Sequence, residues 1–221
     1  MKTVLMVTTS HNDLAGHPTG VWLEEYAVPF AMLERLGIAI VVASPQGGIV
    51  PIDPRSAPTP EQESEWQSAI AAAQNARLLG EMNATDFDAI FIPGGHGPMF
   101  DLPDNPDLIR LLADFEAQQK IIAAVCHGPV GLLNARRGDG EFLVKNRRVT
   151  AYTAQEEVLA KLDKSVPFIL EDALRERGAL FESGGPKAAY AVRDGALITG
   201  QNPASSALIA TELARALGES P

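Results

Sequence analysis

Cys126 and His127 are the residues of this chain best suited to covalent chemistry. Cys126 is the only cysteine among 221 residues, and it ends the stretch Lys120-Ile-Ile-Ala-Ala-Val-Cys126, which is typical of a buried central strand. Gly128 and Pro129 then favour a tight turn into a helix. A thiol at a helix amino terminus lies near free N–H groups, which favour the thiolate and can hold an oxyanion. The alternative is a small hydrophobic core cysteine without a chemical role.

A second candidate is the glycine-rich segment Pro93-Gly-Gly-His-Gly-Pro98, which also follows an apolar run. Glycine lets the backbone approach a ligand closely, so N–H groups around Gly94 and Gly95 could form half of an oxyanion hole. The alternative is a plain glycine turn. Parallel sheets place ligand sites at the carboxyl ends of their strands, so we expect this turn and Cys126 to converge there.

The third candidate, Glu25, lies in a helix predicted over residues 21–36. A helical wheel places Glu25 on the apolar stripe with Tyr26 and Leu33, whereas Glu24 falls on the opposite side. Burial raises the pKa of a carboxyl group, which suits a general acid or base, or a protonated donor to a thiolate. A slightly rotated helix would instead leave Glu25 at the rim of the site.

Alternating strands and helices form the frame that must position these groups. The predicted strands span residues 3–9, 38–43, 88–93, 120–126, 145–153, 190–192 and 196–199. The predicted helices span residues 21–36, 61–79, 105–119, 128–134, 155–162, 168–177 and 204–217. A loop over residues 44–60, with five prolines, could border a site. The alternation predicts an α/β fold with a mostly parallel central sheet and helices on both faces, in a single domain over residues 1–221.

Composition limits the partners and the compartment. The net charge of −10 and the pI near 4.8 argue against nucleic acid or an anionic membrane as a partner. The four histidines lack zinc-ligand spacing, and no nucleotide-binding glycine motif follows the first strand. Without a signal-peptide pattern or an apolar run of about 20 residues, we expect a soluble cytoplasmic protein that uses no metal or cofactor. The pair Glu156-Glu157 is expected on a solvated face.

Five short motifs are spread in order over nearly the whole chain. They are Gly20-Val-Trp-Leu-Glu-Glu25, Asp53-Pro-Arg-Ser56, Phe91-Ile-Pro-Gly-Gly-His-Gly97, Ala124-Val-Cys-His-Gly-Pro129 and Ile198-Thr-Gly-Gln-Asn-Pro-Ala-Ser-Ser206. Together they resemble the ThiJ/PfpI superfamily of class I glutamine-amidotransferase-like proteins, which includes the parkinsonism-associated deglycase. The histidine directly after the cysteine and the Gly-Gly-His-Gly turn are similar to the glyoxalase III and heat-shock chaperone branch.

The resemblance implies a flavodoxin-like three-layer sandwich that is generally dimeric. It also implies roles for residues already chosen on other grounds. Cys126 matches the nucleophile, His127 its partner, and Glu25 the carboxylate near the thiol. The N–H groups of Gly95 and His127 match the oxyanion donors.

The resulting hypothesis is a glutathione-independent glyoxalase that converts methylglyoxal or related α-oxoaldehydes to 2-hydroxy acids through a Cys126 hemithioacetal, with protein deglycation as a further activity. One alternative is a cysteine-dependent hydrolase or hydratase acting on an amide, peptide or isonitrile. Another is a stress chaperone or redox sensor in which Cys126 is only oxidised. The expected partner is a small reactive aldehyde, and the expected assembly is a homodimer.

Overall fold

A seven-stranded sheet forms the centre of the protein in the computed structural model, which describes residues 1–220. The strands are β1 (Thr3–Val7), β2 (Asp13–Leu14), β3 (His17–Pro18), β4 (Ala39–Ser44), β5 (Arg77–Leu78), β6 (Ala89–Ile92), β7 (Ile121–Val125), β8 (Arg148–Val149), β9 (Leu180–Phe181), β10 (Ala191–Asp194) and β11 (Leu197–Gly200). The main sheet has the order β10-β11-β7-β6-β1-β4-β5, and only the β10–β11 pair is antiparallel. The predicted mostly parallel α/β sandwich is confirmed.

Helices cover both faces of this sheet and enclose two apolar cores. They are α1 (Leu23–Arg35), α2 (Pro60–Glu65), α3 (Gln67–Ala73), α4 (Pro98–Asp101), α5 (Pro106–Ala117), α6 (Ala154–Ala160), α7 (Leu170–Glu176) and α8 (Ser206–Ala216). The core under α1, α3 and α8 takes Val4 and Met6 from β1, and the core under α5 and α7 takes Leu5 and Val7. This alternation follows from the two-residue period of a strand.

The register of three central strands brings the chemically capable segments to one edge of the sheet. Ala124 of β7 lies opposite Ile92 of β6, and Val125 lies opposite Gly200 of β11. Cys126 therefore emerges between the loop that follows β6 and the loop that follows β11. Parallel sheets place their ligand sites at such an edge.

The helix predicted over residues 61–79 is wrong in its extent. The chain forms α2 and α3 with a break at Trp66, whose φ of −99° and ψ of 15° interrupt the helix. The Trp66 indole is buried in the core beneath α1, and this burial outweighs helix continuity. The chain then returns to the sheet as the edge strand β5, which pairs with β4.

The strand predicted over residues 145–153 is also wrong in its extent. Only β8 forms, and it pairs with β9 outside the main sheet. The rest of the segment is held by single hydrogen bonds at strand ends, with the Thr150 N–H donating to Thr199 Oγ1 at 2.8 Å and the Tyr152 N–H donating to the Cys126 carbonyl at 2.9 Å. This arrangement carries Tyr152 to the edge where Cys126 lies.

The proline-rich loop over residues 44–60 is ordered against the amino end of α1. It contains a 3₁₀ turn at Pro54–Ser56, and Ile52 forms a parallel bridge with Val21. The Ser56 hydroxyl accepts a hydrogen bond from the Leu23 N–H at 2.9 Å, which satisfies a donor at the start of α1. Within the described residues, every helix is too short or too polar to cross a membrane.

Candidate active site

Cys126 lies at a strained turn directly after β7. Its φ of 59° is in the left-handed region, which is uncommon for a residue with a side chain and persists only where surrounding contacts hold it. Those contacts are hydrogen bonds from the Cys126 N–H to the Gly200 carbonyl and from the Tyr152 N–H to the Cys126 carbonyl, both 2.9 Å long. The turn directs the thiol into a recess at the sheet edge while only 3% of the residue is exposed.

The helix predicted over residues 128–134 forms as a short 3₁₀ helix over Gly128–Leu132 rather than as an α-helix. Gly128 packs so closely on β6 that a Cβ atom there would lie 2.1 Å from the Ile92 carbonyl oxygen. Burial raises the pKa of Cys126 well above its usual range, and the neighbouring Glu25 raises it further, although the Gly95 N–H acts in the opposite direction. The thiol therefore needs a base that can take its proton.

His127 provides that base within reach of the thiol. Its Nδ1 lies 3.4 Å from Cys126 Sγ, and its Nε2 lies 2.7 Å from Glu157 Oε2. The three side chains are buried, so water does not compete for these hydrogen bonds. A cysteine, a histidine and a carboxylate in this sequence of contacts can remove the thiol proton and stabilise the imidazolium that forms.

Glu157 corrects a sequence-based expectation, since the pair Glu156-Glu157 was predicted to be solvated and both residues are buried. Thr153 caps α6 through a capping box with Glu156, so the first turn of the helix points its carboxylates inward. Burial opposes ionisation of Glu157, but hydrogen bonds from His127 and His96 outweigh it and lower the pKa of Glu157 to about 2. Glu157 is therefore a carboxylate at neutral pH.

His96, from the glycine-rich turn, makes the second contact with this carboxylate. Its Nε2 lies 2.9 Å from Glu157 Oε1, and its Nδ1 lies 3.2 Å from an Nη atom of Arg55. The His96 and His127 rings lie with their centroids 4.3 Å apart, and Tyr152 lies 4.5 Å from the His127 ring. Burial lowers the pKa of His96 to about 4, so this imidazole is neutral at physiological pH.

Glu25 is fully buried beside the thiol, as the helical wheel predicts. Its Oε2 accepts a hydrogen bond from the Gly94 N–H at 2.9 Å. Its Oε1 has no partner of good hydrogen-bond geometry among residues 1–220, although the carboxyl group lies next to Cys126. Burial raises the pKa of Glu25 to about 8, while the contact with the Cys126 thiol and the hydrogen bond from the Gly94 N–H limit the rise. A carboxyl group of this kind can hold or release a proton near neutral pH.

Gly94 and Gly95 lie at the point where three segments meet. A Cβ atom on Gly94 would come within 2.5 Å of Glu25 Oε2, and one on Gly95 would come within 2.3 Å of the Gly20 carbonyl oxygen. Gly95 also has a φ of 94°, which glycine adopts without strain. Its N–H points at Cys126, where an oxyanion formed on a thiol adduct would develop.

The cluster of His96, His127 and Glu157 has its potential ligand atoms within 4.8 Å of one another, as a metal site requires. In the structure, however, these atoms already take part in hydrogen bonds with one another. The Arg55 guanidinium can only donate, so His96 Nδ1 accepts and His96 Nε2 carries the proton that it donates to Glu157. A metal cation would have to displace that proton from a site next to the positively charged Arg55 guanidinium. That the protein uses no metal stays a prediction.

Comparison with known proteins places this geometry in a family. The model of the DJ-1/PfpI family matches residues 18–216. The chain belongs to the DJ-1/PfpI family. The relatives and solved structures described next each match the chain over nearly its whole length.

Two fungal relatives of this DJ-1/PfpI chain carry names that state an activity. Glyoxalase 3 of Candida albicans is 29% identical over 96% of this chain and 97% of its own length. The glutathione-independent glyoxalase HSP31 of Saccharomyces cerevisiae is 29% identical over 93% of each chain. The crystal structure of the Candida enzyme superimposes with a TM-score of 0.89, at 27% identity and 97% coverage of each chain.

A bacterial protein of known structure also has a closely similar fold. The Rapid Encystment Protein of Francisella tularensis is 34% identical, covers 98% of this chain and 99% of its own, and superimposes with a TM-score of 0.93. The DJ-1/PfpI family assignment thus agrees with the five motifs read from the sequence.

Two adjacent cavities of this DJ-1/PfpI protein lie at the sheet edge, and the inner one reaches the thiol. The recess has a volume of about 50 Å³ and is lined by Trp22, Glu25, Gly95, His96, Cys126, His127, Tyr152 and Pro203. An outer vestibule of about 440 Å³ shares Trp22, Tyr152 and Pro203 with the recess and is otherwise lined by Lys187 and by residues of α6 and of the loop after β11. The recess suits a group of a few atoms, and the vestibule can hold the rest of a larger substrate.

The structure brings together all the residues that the sequence singled out, namely Cys126, His127, Glu25, Gly94 and Gly95. Sequence reasoning missed Glu157 and gave His96 and Arg55 no role. The available signals were weak. Glu157 follows a capping box at Thr153, and Arg55 belongs to one of the five motifs, but neither pattern states which distant residue it contacts.

Proposed function

We propose that this protein is a cofactor-free, cysteine-dependent glyoxalase that converts methylglyoxal or a related α-oxoaldehyde to a 2-hydroxy acid without glutathione. The observation that carries the proposal is the recess, in which Cys126 meets a base, His127, on one side and a carboxyl group with a pKa of about 8, Glu25, on the other. The names of the two fungal relatives support the same reaction class.

The first step forms a carbon–sulfur bond. His127 Nδ1 takes the Cys126 proton, and the sulfur adds to the aldehyde carbon to give a hemithioacetal. The aldehyde oxygen gains negative charge in this step and lies within reach of the Gly95 and His127 N–H groups. The adduct then takes the proton from His127, so no net charge remains on the sulfur or on this oxygen.

The second step moves hydrogen between adjacent carbons. Burial raises the pKa of Glu25 to about 8, so part of the protein carries Glu25 as a carboxylate near neutral pH. Its carboxylate removes the C–H proton of the hemithioacetal, an enediol forms, and the neighbouring carbon is protonated in turn. The result is a thioester, which water hydrolyses to release the thiol and the 2-hydroxy acid. The aldehyde carbon is oxidised and the ketone carbon reduced, so the reaction balances with one water and no external oxidant.

The size of the two cavities supports a small reacting group with a variable substituent. A recess of about 50 Å³ accommodates the two carbonyl carbons, whereas the vestibule of about 440 Å³ leaves room for a longer chain. This vestibule is also the feature that favours protein deglycation as a further activity, since a glycated side chain could enter through it.

Lactate formation from methylglyoxal without glutathione tests the proposal. We expect turnover by the natural chain and a loss of about 100-fold or more in Glu25→Gln, which keeps the shape and removes the base. Glu34→Gln is the matched control, because Glu34 is an exposed carboxylate on the same helix, α1, and should leave the rate unchanged. Undiminished turnover in Cys126→Ala would overturn the proposal.

The hydrolase alternative uses the same Cys126–His127–Glu157 arrangement, which is also suited to acyl transfer. It differs in what accumulates on the thiol. Amide or ester probes would then trap an acyl group on Cys126 in a protein that forms no lactate. Mass spectrometry of the labelled chain separates the two reactions.

A further inference from the structure

We infer that Arg55 and His96 are positioning residues that fix the proton arrangement of the Cys126–His127–Glu157 chain. Arg55 sets the tautomer of His96, His96 occupies one oxygen of Glu157, and Glu157 thereby offers its other oxygen to His127. The inference extends the proposed glyoxalase function, because it concerns the orientation of the same base.

Arg55 is held firmly although its side chain is 41% exposed. Its Nε donates to Asp53 Oδ1 at 2.9 Å, and its Nη2 donates to Asp53 Oδ2. Asp53 is fully buried and also accepts a hydrogen bond from the Thr19 hydroxyl at 2.8 Å. Burial opposes ionisation of Asp53, but the Arg55 hydrogen bonds outweigh it, and the pKa of Asp53 lies below its usual range. Two parallel hydrogen bonds to one carboxylate restrict the rotation of a planar guanidinium group.

The chemistry of the guanidinium decides the tautomer of its neighbour. A guanidinium has five N–H donors, accepts nothing and stays protonated in proteins. Its contact of 3.2 Å with His96 Nδ1 therefore requires an unprotonated Nδ1. A neutral imidazole carries one N–H, so that proton is on Nε2, which faces Glu157 Oε1 at 2.9 Å.

The proton position on His96 in turn determines the hydrogen bond between Glu157 and His127, which lies next to the thiol. With Oε1 of Glu157 engaged by His96, Oε2 accepts the His127 Nε2–H at 2.7 Å. His127 Nδ1 is then left with its lone pair towards Cys126 Sγ, the arrangement that a base requires. The groups facing His96 from all sides are Arg55, Glu157, His127 and Tyr152. Among them only Arg55 carries a permanent positive charge.

The test replaces Arg55 with Met, which keeps the length of the side chain and removes its donors. We expect kcat for methylglyoxal to fall by about tenfold while KM stays within about twofold, since Arg55 does not line the recess. The Arg55→Lys variant keeps a positive charge and N–H donors and should retain most of the rate. Arg215→Met, at an exposed ion pair with Glu212 on α8, is the matched control and should change nothing.

A second readout follows the thiol itself and does not depend on glyoxalase activity. Iodoacetamide can label only Cys126 on a cysteine, so the rate of its alkylation against pH reports one group. Loss of Arg55 leaves more negative charge near the thiol, and the alkylation profile should move to higher pH by about 0.5 unit or more. An unchanged profile in a folded Arg55→Met protein would contradict the inference.

The tautomer can also be observed directly by ¹⁵N NMR of the histidine rings, with the His96 signals assigned from a His96→Gln variant. We expect an unprotonated Nδ1 and a protonated Nε2 at His96 in the natural chain, and a mixture of tautomers in Arg55→Met. A protonated Nδ1 in the natural chain would overturn the inference. If the natural chain forms no lactate, the proposed function fails, but the NMR and alkylation results still decide the tautomer assignment.

Thermal melting shows whether a variant is folded before its rate is compared. Arg55→Met leaves the buried Asp53 without its cation, so some loss of stability is expected. Arg55→Lys keeps the cation, and its kinetics and alkylation profile therefore test the inference even if the Met variant unfolds. Failure of Lys to restore more activity than Met would argue for a purely structural role.

Discussion

At the residue scale, Glu157 uses one negative charge to hold two imidazoles. Each of its oxygens accepts an N–H from a different histidine, at 2.9 Å from His96 and 2.7 Å from His127. A Glu157→Gln side chain has one accepting oxygen and one donating NH₂ group, so one imidazole must change its tautomer or lose its bond. If His127 changes, Nδ1 presents a proton to the thiol.

We therefore expect Glu157→Gln to lower kcat for methylglyoxal by about 100-fold or more, with a smaller effect on KM. Steady-state kinetics at neutral pH measure the change, and melting curves confirm that the variant is folded. Glu176→Gln, an exposed carboxylate on α7, serves as the control. A Glu157→Gln protein with natural kcat would show that the carboxylate has no part in orienting His127.

Two carboxylates of this site differed in how far the sequence could reveal them. The position of Glu25 follows from the period of one helix, because its neighbours on the apolar stripe are within a few residues. The position of Glu157 depends on contacts with His127, 30 residues away, and His96, 61 residues away. No local pattern contains that information, and a paired acidic dipeptide is more often solvated.

At the element scale, the glycine turn after β6 must pass between α1 and the Cys126 turn without side chains. Gly95→Ala would introduce a methyl group 2.3 Å from the Gly20 carbonyl at a φ of 94°. We expect a loss of about 2 kcal/mol or more in the free energy of unfolding, measured by urea denaturation, together with loss of activity. Gly185→Ala is the matched control, since nothing lies within 4 Å of its Cβ position and its φ is ordinary. Equal stability of the two variants would contradict the packing argument.

Sequence patterns predicted most accurately the elements whose spacing of apolar residues reflects packing against one core. The central strands and α1, α5 and α8 form close to their expected places. The element at residues 61–79 breaks because Trp66 is buried beneath α1, and the strand predicted over 145–153 loses most of its ladder to contacts with Thr199 and Cys126. Both departures depend on partners distant in the chain.

At the scale of the whole molecule, alternation of strands and helices was sufficient to predict the sheet and its covering layers. The strand order depends on which segments cross over, and no local pattern in the sequence contains that information. The expected homodimer and the single domain over residues 1–221 stay predictions. The stability of the folded chain should also depend on pH, because the buried ionisable groups of the site bind protons differently in the folded and unfolded states.

Glu25 should make the folded protein less stable as the pH rises. Its pKa is raised by burial from 4.5 to about 8 in the folded state, so between these values the folded chain binds a proton that the unfolded chain has lost. Stability due to Glu25 is complete below about pH 4.5 and declines by up to about 1.4 kcal/mol per pH unit until about pH 8. His96 and Glu157, whose pKa values are lowered to about 4 and about 2, act in the opposite sense and weaken the fold as the pH falls.

Comparison with Glu25→Gln cancels their effects, because both proteins contain them. We expect the difference in melting temperature, Glu25→Gln minus natural chain, to grow from pH 5 to pH 8 in calorimetric scans. A constant difference would mean that Glu25 titrates near its ordinary pKa, and the carboxyl group could then not act as the acid and base that the proposed reaction needs.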